Sequence, residues 1–346
     1  MTNANHQISV IITVHKERRQ YLPDAVNSVL KYKPNNLSLQ IVIASDYNDV
    51  YLENLTKNFN VKLVTCGDSL GEKLIAGLEN STYDLIAFLE DDDMFLPKKL
   101  ERVDQLFSEF PNLEYYHNEA ELLQEGNNAI DDNHTINNDI IISRASDYKH
   151  FWKLKPDYNM SSIVISRSLA DAVIRKVENN TDFLSVSPDT FIFLTALDND
   201  GTVGIDRNRL SLVRIHESLS QVSPRKGFEK FIELGIDNEL KFYSEYLKFF
   251  SLFSNKIVQK LISIKLTRVS ISLTLLNKNN KRVSARELFR YLVDNIKLFR
   301  NGDSILHMIY ILFLAVIPVK ISKPLYRKRY FNYIRISKNP PLEQVR

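Results

Sequence analysis

Phe88-Leu89-Glu90-Asp91-Asp92-Asp93-Met94-Phe95-Leu96-Pro97 decides how the rest of the chain is read. The apolar run Leu85-Ile86-Ala87-Phe88-Leu89 leading into it reads as a buried strand, and Pro97 suits the first turn of a helix. Four consecutive carboxylates therefore stand at the carboxyl end of a strand, where open α/β sheets bind ligands. Adjacent carboxylates repel one another unless a cation or a set of donors holds them, and oxygen-only ligands suit Mg2+ or Mn2+ better than zinc. An acidic first turn favoured by the helix dipole accounts for one or two such residues. Four at a strand end ask for a metal.

Upstream, Ile8 to Val14 is a nearly unbroken β-branched run, the pattern of a strand buried on both faces. Leu22, Ala25, Val26, Val29 and Leu30 then fall on one helical face, with Pro23 near the start. Leu39 to Ala44 predicts a second strand, followed by a polar turn and an amphipathic segment through Phe59. Val61 to Thr65 predicts a third, leading through Leu70-Gly71-Glu72-Lys73 into a helix through Leu78. Strands and helices alternating with short loops predict an α/β fold with a mostly parallel central sheet, flanking helices and right-handed crossovers.

Downstream, Leu100, Val103, Phe107 and Phe110 line one face of a helix ending at Pro111, and Leu113 to His117 reads as a strand. The Asn- and Asp-rich stretch from Gln124 to about Tyr148 reads as a long loop or lid. Ser162 to Ile165 predicts a strand, Ser168 to Val177 a helix, and Ser187-Pro188-Asp189-Thr190 the start of another helix through Leu197. Val203 to Ile205 and Leu210 to Ile215 read as two closing strands.

Charge divides the chain. From Ser223 onward 24 Lys and Arg face 9 Asp and Glu, whereas the preceding residues carry 21 against 33. An acidic first part argues against nucleic acid as a partner there, and no RNA-binding motif accompanies the basic second part. Two domains are predicted, 1–222 and a helical, basic region 223–346. Within the latter, thirteen residues from Ile305 to Ile317 carry no charge apart from His307, and no acid occurs from Ser304 to Leu342. A helix of that length is about 20 Å long, too short to span a bilayer. It reads either as a surface helix with its basic run (303–338) beside anionic headgroups, or as a core helix with a solvated tail. The polar start Met1-Thr2-Asn3-Ala4-Asn5-His6 lacks the basic and apolar regions of a signal peptide, which predicts a cytoplasmic protein, peripheral at the membrane's cytoplasmic face. The single cysteine, Cys66, follows a core strand and is assigned a structural place.

The opening strand with its loop and Tyr21-Leu22, the Leu70-to-Lys73 loop and above all Ala87 to Leu100 resemble family 2 glycosyltransferases. The resemblance covers roughly residues 8–220. It implies the GT-A fold, an inverting reaction, a nucleoside-diphosphate sugar as donor, and Mn2+ or Mg2+ as cofactor. Asp92 would be the main metal ligand, Asp91 would contact the ribose or diphosphate, and Asp93 and Glu90 would support the metal site. Glu90 stands where the family's run begins with aspartate. The loop after the first strand matches the nucleobase site, with His15 stacking on the base and Glu17 bonding its edge; Asp46 would read the base and Lys73 meet the diphosphate. The bland alternative for His15, Glu17 and Lys73 is solvated loop polarity.

By the same resemblance Asp189 falls where the family carries its acidic base, although the usual Glu-Asp pair is Pro188-Asp189 here; Asp198 and Asp200 are the alternatives, and so is a mere helix-start role. Arg214 to Ser220 resembles a segment that closes over the diphosphate and metal. That makes His216 a metal ligand or phosphate donor, or else a surface histidine capping a strand. Trp152, Tyr158 and Asn159 lie where an acceptor, a glycan or lipid-linked hydroxyl, would approach. Two other functions compete. A sugar-phosphate nucleotidyltransferase needs a glycine-rich loop after the first strand, and Thr13 to Arg19 contains no glycine; a non-catalytic nucleotide- or glycan-binding protein would not need Asp91, Asp92, Asp93 and Asp189 together.

Overall fold

The structure is a computed structural model and describes residues 7–124, 135–144, 146–147, 156–178, 180–215, 228–276 and 284–298, with positions 309, 313 and 325. The polypeptide divides into two compact units, one reaching to His216 and including Leu252–Val258, the other taking the remaining C-terminal residues.

In the first unit β1 (Gln7–Val14), β2 (Ser38–Ser45), β3 (Val61–Thr65) and β4 (Leu85–Glu90) pair in parallel, in the order β3-β2-β1-β4. Alternation along β1 shows why both faces are apolar. Ile8, Val10, Ile12 and Val14 join a core with Leu22, Val26 and Val29 of α1 (Leu22–Lys31), Leu52 and Leu55 of α2 (Val50–Asn58), and Leu100, Val103 and Phe107 of α4 (Lys99–Glu109). Ile11 points the other way, so close to α3 (Leu70–Asn80) that a Cβ on Gly77 would lie 2.4 Å from its methyl group. Ser9, between the apolar residues, donates to Gln40 Oε1 at 2.8 Å and so keeps its buried hydroxyl satisfied.

The register settles where the loops come together. Val14 pairs with Ser45, Ser45 with Thr65, and Thr13 with Glu90. The residues that follow each strand therefore emerge along one rim of the sheet.

Beyond β4 the sheet is mixed. β8 (Ile163–Ser166) runs antiparallel to β4, and β6 (Leu113–Gln124) antiparallel to β8, while β6 and β9 (Thr202–Ile215) are parallel. Because β8 runs backwards, its start lies at the carboxyl end of β4. Two short strands complete the sheet: β5 (Met94–Phe95) and β7 (Ile140–Arg144), both antiparallel to β9. Outside the sheet, α5 (Arg167–Val177) has one buried face, whereas α6 (Pro188–Asp198) buries Phe191, Ile192, Phe193 and Leu194 around its circumference. Phe191 also packs on Phe253, with ring centroids 5.6 Å apart.

Three expectations change. The polar stretch after Gln124 contains β7, whose Ile140-Ile141-Ile142 finds a partner in β9. The two closing strands are one continuous β9, carried across Asp206 to Arg209 by bulged pairing with β6. Pro97 lies before α4 rather than inside it, because Lys98 turns the chain at a left-handed φ of 66°.

Three helices carry most of the described residues of the second unit: α7 (Phe228–Leu252) up to Ser251, α8 (Lys256–Leu276) from Gln259 onward, and α9 (Ala285–Leu298). Tyr246 and Phe249 pack on each other, and Lys265 sits 5.5 Å over the Tyr246 ring. Among the described residues no helix is long and apolar enough to cross a membrane. The apolar run from Ile305 and the basic stretch after it lie outside the described residues, apart from three isolated positions.

Candidate active site

Three of the rim loops meet at the carboxyl ends of β1, β2 and β4. The backbone N–H of His15, first after β1, donates to Asp91 Oδ2 at 2.7 Å. Asp46, first after β2, lies 3.2 Å from Lys73 Nζ, and the same ammonium is 2.8 Å from His15 Nδ1. An ammonium has no acceptor, so His15 receives this bond on a neutral ring. Burial, with Lys73 and Arg18 nearby, lowers the His15 pKa to about 4, which keeps the imidazole neutral at physiological pH.

Lys73 is fully buried, although it belongs to the first turns of α3. The helix is started by a reciprocal cap, with Ser69 Oγ accepting from Glu72 N–H at 3.2 Å and Glu72 reaching back to Ser69 N–H at 3.3 Å. Gly71 is required by packing: a Cβ there would lie 2.0 Å from the Thr181 carbonyl oxygen. Leu70-Gly71-Glu72-Lys73 thus combines a cap, a close approach and a buried cation.

The four acids occupy different environments. Asp91 and Asp93 are buried, Asp92 is 7 % exposed and Glu90 half-buried. Asp93 Oδ2 accepts from Ser161 Oγ at 2.6 Å and its Oδ1 from Arg214 N–H at 3.1 Å. Ser161 Oγ also accepts from Glu90 N–H at 3.0 Å, so one hydroxyl ties the start of β8 to both acids. Glu90, Asp92 and Asp93 each bring a carboxylate oxygen within 4.8 Å of the other two. Negative charge accumulates faster than these donors offset it. Burial, then Asp92, pushes Asp93 up to about 7; burial raises Asp91 to about 6 against the pull of Arg18; and burial, Asp93 and Asp92 hold Glu90 well above the usual carboxylate range. Three carboxylate oxygens crowded this closely are the kind of arrangement whose repulsion a divalent cation relieves.

Two positive side chains face the rim from loops and strand ends. Arg18 Nε lies 3.1 Å from Asp91 Oδ1 and its Nη1 2.7 Å from Asp92 Oδ2. Arg214 donates through Nε to the Asp92 carbonyl at 3.2 Å and through Nη2 to Asp24 at 2.9 Å. Below the rim, fully buried Lys99 donates to Asn118 Oδ1, the Ser161 carbonyl and Ser211 Oγ at 2.6–2.9 Å. It joins β6, β8's lead-in and β9 under the acids.

Asp189 lies in the first turn of α6. Its Oδ2 accepts from Asn159 N–H at 3.2 Å and its Oδ1 from Thr190 N–H at 2.8 Å. Asn159, at a φ of 72°, accepts from Ser161 N–H at 3.1 Å, so Asp189 is two hydrogen bonds away from the serine that holds Asp93. Non-glycine residues in such conformations concentrate at functional sites. The alternatives sit at the opposite end of α6: Asp198 pairs with Lys176 at 2.8 Å, and Asp200 accepts from Ser146 N–H at 3.1 Å.

His15, Asp46, Lys73, Asp91, Asp92 and Asp93 are thus gathered at one rim, with Asp189 linked to it. Glu17 is on the same turn but exposed. His216 and Trp152 lie outside the described residues, while Tyr158 is 62 % exposed beside Asn159. Sequence reasoning missed Arg18, Ser161 and Lys99. Three basic residues in the loop directly after a strand, Lys16, Arg18 and Arg19, were a readable signal for Arg18; nothing local marks Ser161.

Residues 9–148 match the model of Glycosyl transferase family 2. An uncharacterized glycosyltransferase of Haemophilus influenzae is 28% identical over 123 residues, 34% of this chain. The chain spans 41% of the length of that relative. Crystal structures of S. aureus TarS 1-349 share the fold. The one in complex with UDP has a TM-score of 0.50 at 12% identity, covering 96% of this chain and 90% of that one; another has a TM-score of 0.50 at 11% identity, covering 84% and 80%. The sheet is of GT-A type, and its acid-bearing rim falls inside residues 9–148, the stretch that is similar to glycosyl transferase family 2.

Proposed function

We propose that the protein is an inverting glycosyltransferase that moves a sugar from a nucleoside-diphosphate sugar to a hydroxyl of a glycan or lipid-linked acceptor in one displacement. The observation that carries this reading is the convergence of His15, Asp46, Lys73 and the acids Glu90 to Asp93 at the carboxyl rim of a family 2 domain.

Neutral His15 stacks on the nucleobase, with Glu17 and Asp46 at its edge, and Asp91 takes the ribose or diphosphate. Lys73, oriented by Asp46, brings positive charge to the diphosphate side. Asp92 and Asp93, with Glu90, have the oxygen-only character that suits Mn2+ or Mg2+. His216, which in sequence follows the β9 end whose Arg214 N–H binds Asp93, adds an imidazole nitrogen to these oxygens or donates to a phosphate. Such an ion, when bound, supplies Lewis-acid neutralisation of the departing diphosphate. Asp189 removes the acceptor's hydroxyl proton as it attacks the anomeric carbon; the N–H groups of Asn159 and Thr190 aim its carboxylate. The basic stretch 303–338 seats the enzyme peripherally at the cytoplasmic membrane face.

A thermal-shift screen of nucleotide sugars with and without Mn2+ tests the donor. UDP heads it because TarS, of the same fold, was solved with UDP. A ligand at 100 times its Kd adds about 2.7 kcal/mol of apparent stability. If no nucleotide sugar raises Tm, the reading fails. Asp189→Asn should keep the donor-induced shift and lose transfer; retained transfer moves the base elsewhere.

A further inference from the structure

Arg18 has a place in the rim that the roles above do not use. It ends the single turn Lys16–Arg18 that follows β1, held there by its N–H to the His15 carbonyl at 2.9 Å. Its side chain is 24% exposed, yet it reaches inward to fork across two different carboxylates, with Nε 3.1 Å from Asp91 and Nη1 2.7 Å from Asp92. Asp92 belongs at the same time to the trio of acids whose oxygens lie within 4.8 Å of one another. Arg214 does not take this place, because its guanidinium is directed to the Asp92 carbonyl and to Asp24. Lys73 does not either: it is spent on Asp46 and His15.

A guanidinium on Asp92 and a divalent ion on the same carboxylate repel each other, so the two compete for one site. A guanidinium is also a fork that matches two phosphate oxygens as well as it matches carboxylates. Arg18 ends a one-turn 3-10 helix in a loop, and its side chain can change partner while the backbone bonds of that turn stay in place.

We propose that Arg18 is an internal counter-ion of the rim: it pairs with Asp91 and Asp92 when no donor is bound, competes with the divalent cation for Asp92, and transfers to the diphosphate of the donor. This rests on the nucleotide-sugar reading above. Its consequence is coupling. Cation alone meets a rim already occupied by a positive charge, whereas nucleotide draws Arg18 away, so each ligand strengthens the other by the same factor.

The test is titration calorimetry on the full chain, with Mn2+ alone and with UDP in saturating Mn2+, comparing wild type, Arg18→Gln and Arg18→Lys. Arg18→Gln should bind Mn2+ alone at least tenfold more tightly than wild type and bind UDP at least tenfold more weakly. Arg18→Lys keeps the charge without the fork, so its Mn2+ affinity should stay near wild type while its UDP affinity falls; it also serves should the glutamine variant fold poorly. A glutamine variant within twofold of wild type for either ligand overturns the proposal, as does weaker Mn2+ binding. Those results leave the nucleotide-sugar reading standing if wild type binds both ligands. Wild type that binds neither removes both.

Discussion

Two clusters of buried charge in the same unit show opposite arrangements. At Asp206 one carboxylate meets one guanidinium and neutral donors: Arg102 Nε at 2.9 Å, Tyr116 OH at 3.2 Å and Asn208 N–H at 3.0 Å. At the rim four carboxylates share one forked arginine, one serine hydroxyl and a few backbone N–H groups. The first cluster is matched internally and ties α4 to β6 and β9. In the second, four acids are crowded together, and burial with mutual repulsion raises the proton affinity of Glu90, Asp91 and Asp93. The first arrangement ties elements of the fold to one another; the second concentrates like charge at the rim of the sheet.

The sharpest way to break the comparison is to remove one acid from the rim. If Asp92 has the metal-ligand role proposed for it, Asp92→Asn should cut sugar transfer about 1,000-fold, or about 4 kcal/mol. Its urea midpoint should not fall, since one like charge has gone. Unchanged turnover would end the functional account of this acid. The matching change in the other cluster, Asp206→Ala, should destabilise by about 3 kcal/mol in urea denaturation, because Arg102 is left buried without its partner. A loss under about 1 kcal/mol would show that the Asp206 pair is not structural in the sense argued.

A weaker but more selective contrast comes from pH. Asp91 and Asp93 hold their protons up to about 6 and about 7, above the unfolded value near 4. Between pH 4 and 7 the folded chain therefore binds more protons at these acids than the unfolded chain, and their contribution to stability falls as pH rises, levelling off above 7. His15 and His117, both lowered to about 4 chiefly by burial, act in the other direction between pH 4 and 6.5. The rim's part is read as a difference: Asp93→Asn should gain stability relative to wild type from pH 4 to 7 and gain nothing further above. A flat difference would mean that the rim carries no excess charge. The smallest effect is expected at exposed Glu17, where Glu17→Gln should leave the urea midpoint within about 0.5 kcal/mol, so that any larger change must appear in nucleotide affinity.

The half of the sheet that was legible in the chain is the half built from consecutive elements. β1 to β4, α1 and α3 carry their own signals, in β-branched runs and one-face spacing, and the strands pair in the order β3-β2-β1-β4. Parallel order then fixes that His15, Asp46 and Asp91 leave the sheet at one rim. The mixed half was read less well, because β7 looks like part of a polar loop until β9 lies beside it.

Sequence alone determined the α/β class, the acidic strand end and the family resemblance, since all three are written in short contiguous patterns. Tertiary structure alone decided that Arg18 forks across Asp91 and Asp92, that Ser161 holds Asp93, and that Lys99 is buried beneath them. Arg18 and Asp92 are 74 positions apart, Ser161 and Asp93 68, and Lys99 and Ser161 62. No local period or spacing encodes which distant side chains meet. That is set by the strand order and register, and these arise only when the whole sheet forms.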